Sequence, residues 1–380
     1  MKRFRNWVLA CSVVALYLPA SLAAQAPADQ GPPAEKVFKN IKVLTETPAS
    51  QLNIGMHLIE GALGTECEHC HFEPDFAKDG KKPKETARAM IKMVMDINKN
   101  NFDGKPVVQC YTCHHGSVTP TSTLVVQDTL TPIVPYGTEK QEPALPSVDQ
   151  ILNKYIQAIG GEDAIRKVSS RSITATRNLL TGPGGVVALP AVSDEYRKAN
   201  RSVIVSRGAT ITVAEGFDGT TAWAQNAAGV VADAQPIDTV RARRDLDLQA
   251  SLNLKKTYSR MEVQGISRVG ERDAYLVVGY PNDDLAEKLY FDISSGLLVR
   301  KITALQSVFG EVPFETDYDD YRATNSGVKI PFWIRSIPGA PRSAYASSMN
   351  VRIQKVEDNA PIDDAKFAKP PSKPQPPRPQ

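Results

Sequence analysis

Apolar positions along this chain follow two rhythms, and the change from one to the other falls near residue 147. In the N-terminal part, Leu52, Met56, Ile59 and Leu63 recur at intervals of four, three and four, which places them on one face of an amphipathic helix. Pro48-Ala49-Ser50 marks its start, with Ser50 as the N-cap, and Gly61 and Gly64 loosen its end. The segment from Phe72 to Lys84 is charged and carries Pro74, Gly80 and Pro83, so it reads as a surface loop. A second helix is expected from about Glu85 to Asn98, with Ala87, Met90, Ile91, Val94 and Ile97 sharing a face. A polar turn from Asn98 to Lys105 follows it.

Residues 121–146 are rich in Pro, Thr and Val and read as a linker. Beyond it, Ser147-Val148-Asp149-Gln150 supplies a helix cap and Ile151, Tyr155, Ile156 and Ile159 an apolar stripe that stops at Gly160-Gly161. Ala164 to Val168 adds a turn. The pattern then changes to short alternating or apolar runs between glycines: Ser172 to Thr176, Ser202 to Val205, Thr210 to Glu215, Thr221 to Gln225, Ala274 to Gly279, Lys288 to Asp292, Leu297 to Ile302, Val328 to Ile334 and Ser348 to Val356. These predict an antiparallel meander with a helix packed on it, a domain spanning residues 147–368. Asp238 to Leu254 reads as helix with charge on one side, and the proline-rich tail, 369–380, as disordered.

The first residues, Met1-Lys2-Arg3-Phe4-Arg5, precede an apolar run from Trp7 to Leu18, then Pro19 and an Ala24-Gln25-Ala26 cleavage pattern. Residues 1–26 therefore read as a secretory signal peptide, since the run is too short to cross a bilayer as a retained anchor. Cys11 sits too early in that run for a lipoprotein cleavage box and is expected to leave with the signal. The periplasm is the expected compartment, with the mature protein soluble or peripherally associated with a membrane. A length of 380 residues leaves room for two domains, and a net charge of +3 with no basic run after the first five residues implies no nucleic-acid partner.

Four of the five cysteines fall in one repeated spacing, Cys67-Glu68-His69-Cys70-His71 and Cys110-Tyr111-Thr112-Cys113-His114. Two thiols so placed can each form a thioether with a haem vinyl group, and the following histidine is delivered to the iron. Two Cys-x-x-Cys pairs would also suit one tetrahedral zinc, a redox dithiol or disulfides. An all-thiolate site, however, gives no reason for a histidine after each second cysteine. Cys67, Cys70, Cys110 and Cys113 are accordingly the candidate attachment points for two covalently bound haem c groups, and His71 and His114 the iron ligands. Met56, on an apolar face about three turns before the first motif, is the candidate sixth ligand there, with His57 pointing about 100° away as its rival. For the second motif Met90 lies nearest the centre of its face, Met93 on the flank and Met95 off it.

The order Leu52, Met56, Gly64, Cys67-x-x-Cys70-His71, then Ala87-Arg88-Ala89-Met90-Ile91-Lys92-Met93 with Ile97-Asn98, then Cys110-Tyr111-Thr112-Cys113-His114-x-Gly116 resembles the cytochrome c subunit of photosynthetic reaction centres. The resemblance covers residues 37–120 and implies that a helix ahead of each motif supplies an axial methionine: Met56 for the first haem, and Met90, with Met93 in reserve, for the second. It departs from the family in having two motifs where four are usual and His115 where arginine is common, so photosynthesis does not follow. In the second domain, Ala158-Ile159-Gly160-Gly161, Gly216-Phe217-Asp218-Gly219-Thr220-Thr221-Ala222-Trp223 and Tyr290-Phe291-Asp292-x-x-x-Gly296-Leu297-Leu298 resemble outer-membrane-lipoprotein-sorting (LolA/LppX-like) domains, half-open barrels of which some carry lipid.

All five histidines, His57, His69, His71, His114 and His115, lie in the first segment, and nothing after Gly116 is His or Cys. The second domain therefore has no His-based triad, thiol nucleophile or imidazole metal site. Its acidic pairs, Asp283-Asp284 and Asp319-Asp320, are expected to be solvated. The fold expected is multidomain: an N-terminal mainly-α dihaem cytochrome c module and a C-terminal α+β antiparallel half-barrel. Saturated iron makes it an electron carrier between redox proteins rather than an enzyme. Two alternatives remain open: a haem enzyme or oxidoreductase subunit with one five-coordinate haem, and a lipid- or quinone-binding module whose hydrophobic ligand the haems oxidise or sense.

Overall fold

The structure, a computed structural model, describes residues 32–72, 75–120, 144–181, 186–209, 212–234, 236–282, 284–338 and 348–374. The expected signal segment with Cys11, most of the expected linker, Asp283 and the end of the tail lie outside these. The N-terminal module comprises α1 (Ala34–Val37), α2 (Ala49–Leu63), α3 (Cys67–Cys70), α4 (Lys82–Asn101) and α5 (Cys110–His114). α2 starts one residue before the expected cap, with Pro48 at the N-cap position and Ser50 already helical. α4 begins earlier than its apolar pattern suggested, because Pro83 starts the helix instead of breaking it: its fixed φ and missing N–H suit the first turn.

The buried face of α2 also differs from the expected one. Leu52, Gly55, Leu58, Gly61 and Ala62 are buried, so Gly61 belongs to the packed face and does not loosen the helix, while Met56 and Ile59 sit half-buried at its edge. Small residues occupy that face because two other pieces of backbone and side chain press against it, as described below.

The second domain opens with α6 (Val148–Ala158), capped as anticipated: Gln150 N donates to Ser147 Oγ and Ser147 N to Gln150 Oε1. α7 (Glu162–Arg166) follows, then β1 (Ser170–Thr181), β2 (Val186–Lys198), β3 (Arg201–Arg207), β4 (Thr212–Phe217), β5 (Ala222–Gln225) and β6 (Val231–Asp233). The expected charged helix is two, α8 (Pro236–Asp245) and α9 (Ala250–Thr257). After them come β7 (Tyr258–Val269), β8 (Arg272–Pro281), β9 (Glu287–Asp292), β10 (Leu298–Ser307), β11 (Gly310–Ala323), β12 (Lys329–Pro338) and β13 (Ser348–Asp358).

These strands form one open antiparallel sheet of thirteen, ordered β6-β5-β4-β3-β2-β1-β13-β12-β11-β10-β9-β8-β7. Two meanders meet at the β1–β13 pairing, so the free edges, β6 and β7, are consecutive in sequence and bridged by α8 and α9. α6 lays Ile151 and Leu152 on Tyr258, Val277, Leu289 and Phe291, and Ile159 and Ile165 pack with Val328. The tail is ordered further than its composition implied: Lys373 N donates to Gly229 O, and Val231 N donates to Ser372 Oγ.

Asp284 is not solvated. Its carboxylate is 4% exposed and pairs with Arg241 at 2.6 Å and Arg244 at 3.3 Å. Burial pushes its pKa up, but the hydrogen bond from Arg241 and the nearby Arg244 charge hold it below the usual carboxylate value. Arg244 also reaches the buried Glu287, which in turn accepts from Tyr258 and Lys301, so α8 is fastened to the sheet by a charge cluster. Asp319 and Asp320 meet the expectation better, lying exposed or nearly so and paired with Arg272 and Arg322.

The two parts share a core. The β10–β11 hairpin carries Phe309 and Val312 into a cluster with Ala34, Leu44, Leu52, Leu58 and Ile91. Phe309 is 2% exposed, and a Cβ on Gly55 would lie 3.1 Å from its ring. Gly55 is therefore the notch into which the hairpin tip fits.

Candidate cofactor site around the twin motifs

Each pentapeptide occupies one short helical turn, so its thiols lie on the same side of a tight bend. The four cysteines are free, with Cys67, Cys70 and Cys110 half-buried and Cys113 exposed. Burial pushes the thiols of Cys70 and Cys110 above the ordinary pKa, only partly opposed at Cys70 by Lys81 and Lys84. No cluster of three or more His, Cys, Asp or Glu side chains able to hold a metal ion occurs among the described residues, so the two thiol pairs do not converge on one tetrahedral centre.

The two histidines that follow are held alike. His71 Nδ1 lies 2.9 Å from Phe76 O, and His114 Nδ1 lies 2.9 Å from Ser117 O. A carbonyl oxygen only accepts, so Nδ1 carries the proton in both rings and the lone pair sits on Nε2. That is the tautomer and the outer hydrogen bond that a metal-ligating imidazole requires. Burial pushes the His71 pKa down, the Phe76 hydrogen bond pulls it up, and Lys84, Arg88 and Lys81 push it down again, with the net effect downward. These residues fit a pair of covalently held haems.

Backbone contacts draw the motifs together. α2 ends at Gly64 in the left-handed conformation, φ 61°, and turns directly into α3. Gly116 N, just past the second motif, donates to Ala62 O at 2.9 Å. Asn98 at the end of α4 pins the approach to α5 from both sides: its Nδ2 donates to Val108 O at 2.8 Å and its Oδ1 accepts from Val108 N at 2.9 Å.

Among the candidate sixth ligands, Met56 lies half-buried against the cluster that also contains Phe309 and touches Cys110. Its rival His57 is engaged elsewhere, with Nδ1 3.1 Å from Glu60 Oε2. On α4 the face buried in the protein is Lys84, Ile91, Val94 and Asn98, and Met90, Met93 and Met95 are exposed by 39, 43 and 44%. Met90 is thus at the border of the packed face and not near its centre. The reason is that this face meets the first motif and the hairpin cluster, which the helix's own periodicity could not reveal.

Lys84 was not singled out by the sequence. It is 8% exposed, and its ammonium donates to the carbonyls of Phe76, Ala77 and Lys78 at 2.9, 3.1 and 2.8 Å. A signal was present: Lys84, Ile91 and Asn98 are spaced by seven, a stripe that includes the lysine.

Comparison with known proteins bears on this same region. Residues 10–150 match the family of the photosynthetic reaction centre cytochrome C subunit. The reaction center cytochrome c subunit of Rubrivivax gelatinosus is 34% identical over 117 residues, 27% of this chain and 32% of that protein. Cytochrome c-554 of Chloroflexus aurantiacus is 35% identical over 85 residues, 20% of each. The chain thus spans a third or less of the length of these cytochromes. The sheet domain is similar to a DUF1329 family protein from Desulfovibrio piger, at 15% identity and a TM-score of 0.41 over 58% of this chain and 97% of that one. It is also similar to a LolA superfamily protein from Nitrosomonas europaea, at 16% identity and a TM-score of 0.41 over 59% of this chain and 99% of that one.

Proposed function

We propose that this chain carries single electrons between extracytoplasmic redox partners, with two haem c groups attached through Cys67 and Cys70 and through Cys110 and Cys113. The observation that carries the reading is the matched state of His71 and His114: each Nδ1–H is spent on a backbone carbonyl at 2.9 Å, and each Nε2 is left to bind iron. When bound, haem supplies a one-electron couple at each site. The protein's part is to fix the two imidazoles, present each pair of thiols on one turn, and keep the motifs in backbone contact so that an electron has a short path between them. Met56 and Met90 supply the sixth ligands in this reading, which closes both irons to substrate and makes the chain a carrier and not an enzyme.

The domain layout follows: residues 37–120 hold the cofactors, and residues 147–368 form the sheet domain that braces them, in a protein delivered to the periplasm by residues 1–26. Intact mass with haem staining of the denatured protein tests it. Two haem additions on a chain lacking residues 1–26 are expected. A colourless chain loaded with zinc would overturn the proposal.

A further inference from the structure

The loop after the first motif has no counterpart after the second. Phe76 O, the acceptor for His71 Nδ1, also accepts from the ammonium of Lys84, both at 2.9 Å. Lys84 is buried, and Lys81 Nζ donates to Glu68 O within the motif itself. One carboxylate answers Lys84: Asp79 lies 3.3 Å from it, and also 2.9 Å from Arg88 and 2.7 Å from Lys42. From Cys110 to Pro120, by contrast, there is no Lys, Arg, Asp or Glu.

Two physical effects of Lys84 act in the same direction. A carbonyl that already accepts from an ammonium is a weaker acceptor for the imidazole N–H, so His71 keeps less anionic character and donates less to iron than a ring bonded to a free carbonyl. A buried cation beside the site also disfavours the extra positive charge of oxidised iron. Asp79 opposes this charge but is one-third exposed, so solvent screens it more than Lys84.

On the dihaem reading above, we infer that Lys84 holds the reduction potential of the first haem above that of the second, and that Asp79 limits the difference. Lys84 is a positioning residue acting through Phe76 and His71. Electrons shared within the protein then rest at the first motif.

The test is a potentiometric titration of the holoprotein, followed by absorbance, for wild type, Lys84→Met and Asp79→Asn. Wild type is expected to show two midpoints. Lys84→Met should lower the higher one by roughly a tenfold change in its equilibrium constant, ~59 mV for one electron, and leave the lower one in place. Asp79→Asn should raise the higher midpoint by a smaller amount. Opposite signs separate charge from loosening, because a slack loop would move both variants the same way. Should Lys84→Met fail to retain its first haem by intact mass, Asp79→Asn, which keeps the lysine, decides alone. Unmoved midpoints, movement of the lower one, or shifts of the same sign would overturn the inference while leaving two haems intact. Fewer than two haems in the wild-type mass would instead overturn the reading it rests on.

Discussion

A Cβ placed on Gly64 would lie 2.2 Å from the carbonyl oxygen of Gly116, so the entry to the first motif and the exit from the second touch backbone to backbone. Gly64 meets two demands at once, a left-handed φ and a neighbour that leaves no room for a side chain. Gly64→Ala is therefore expected to destabilise the protein by about 1–3 kcal/mol from the backbone conformation, with a further loss from displacing Gly116. Chemical denaturation measures the first part. A fall in the yield of doubly loaded protein would report the second.

On the proposed dihaem reading, Met56→Ala should abolish the sulfur-to-iron absorption of one haem, and Met90→Ala that of the other, each variant gaining carbon monoxide binding at one iron after reduction. Met93→Ala should leave both absorptions unchanged. Loss of a band in Met93→Ala with none in Met90→Ala would exchange the two assignments on α4.

Phe309→Ala should cost about 3–5 kcal/mol, the range for truncating a buried phenylalanine. The loss falls on the junction between the sheet and the helical module, because Phe309 seats on Gly55 and not within its own sheet. Calorimetry should show the single transition of the wild type replaced by two, with the helical module melting first.

Asp358 predicts an acid limit. Its side chain, fully buried, accepts from Arg171 across the β1–β13 seam and from Thr324 and Ser326 of the β11–β12 turn. Burial pushes its pKa up, but these hydrogen bonds outweigh it and leave the value below 3.8. A carboxylate depressed on folding contributes stability that is present above its unfolded pKa and lost as pH falls through its folded one. The sheet should thus weaken below about pH 4. Asp358→Asn should flatten that dependence and cost up to about 3 kcal/mol at neutral pH, read from denaturation midpoints across pH, because it leaves the mostly buried Arg171 without its carboxylate.

Much of this was legible in one dimension. The pentapeptides announced themselves through chemistry that admits few residue types, and the Ser147–Gln150 cap box and the strands with clean alternation appeared where their patterns placed them. What stayed hidden depends on partners distant in sequence. β2 and β6 escaped because the inward positions of β2, Ser193 and Glu195, are polar and β6 is only three residues long, and β7 and β11 because α6 and α9 cover part of one and α2 part of the other. The inward face of α2 was displaced because a phenylalanine from β10–β11 selects glycine at position 55, and Asp284 read as a solvated turn residue until α8 brought Arg241 and Arg244 to it.

The hairpin that carries Phe309 has one more implication, for the order of assembly. A polypeptide emerges N-terminus first, from the ribosome or across a membrane, so both pentapeptides can begin folding before β10 and β11 arrive. Until then Gly55 faces open space and the helical half lacks the keystone of its interior. Porphyrin attachment would thus work on a partly built shell, and the late-arriving strands would shut it.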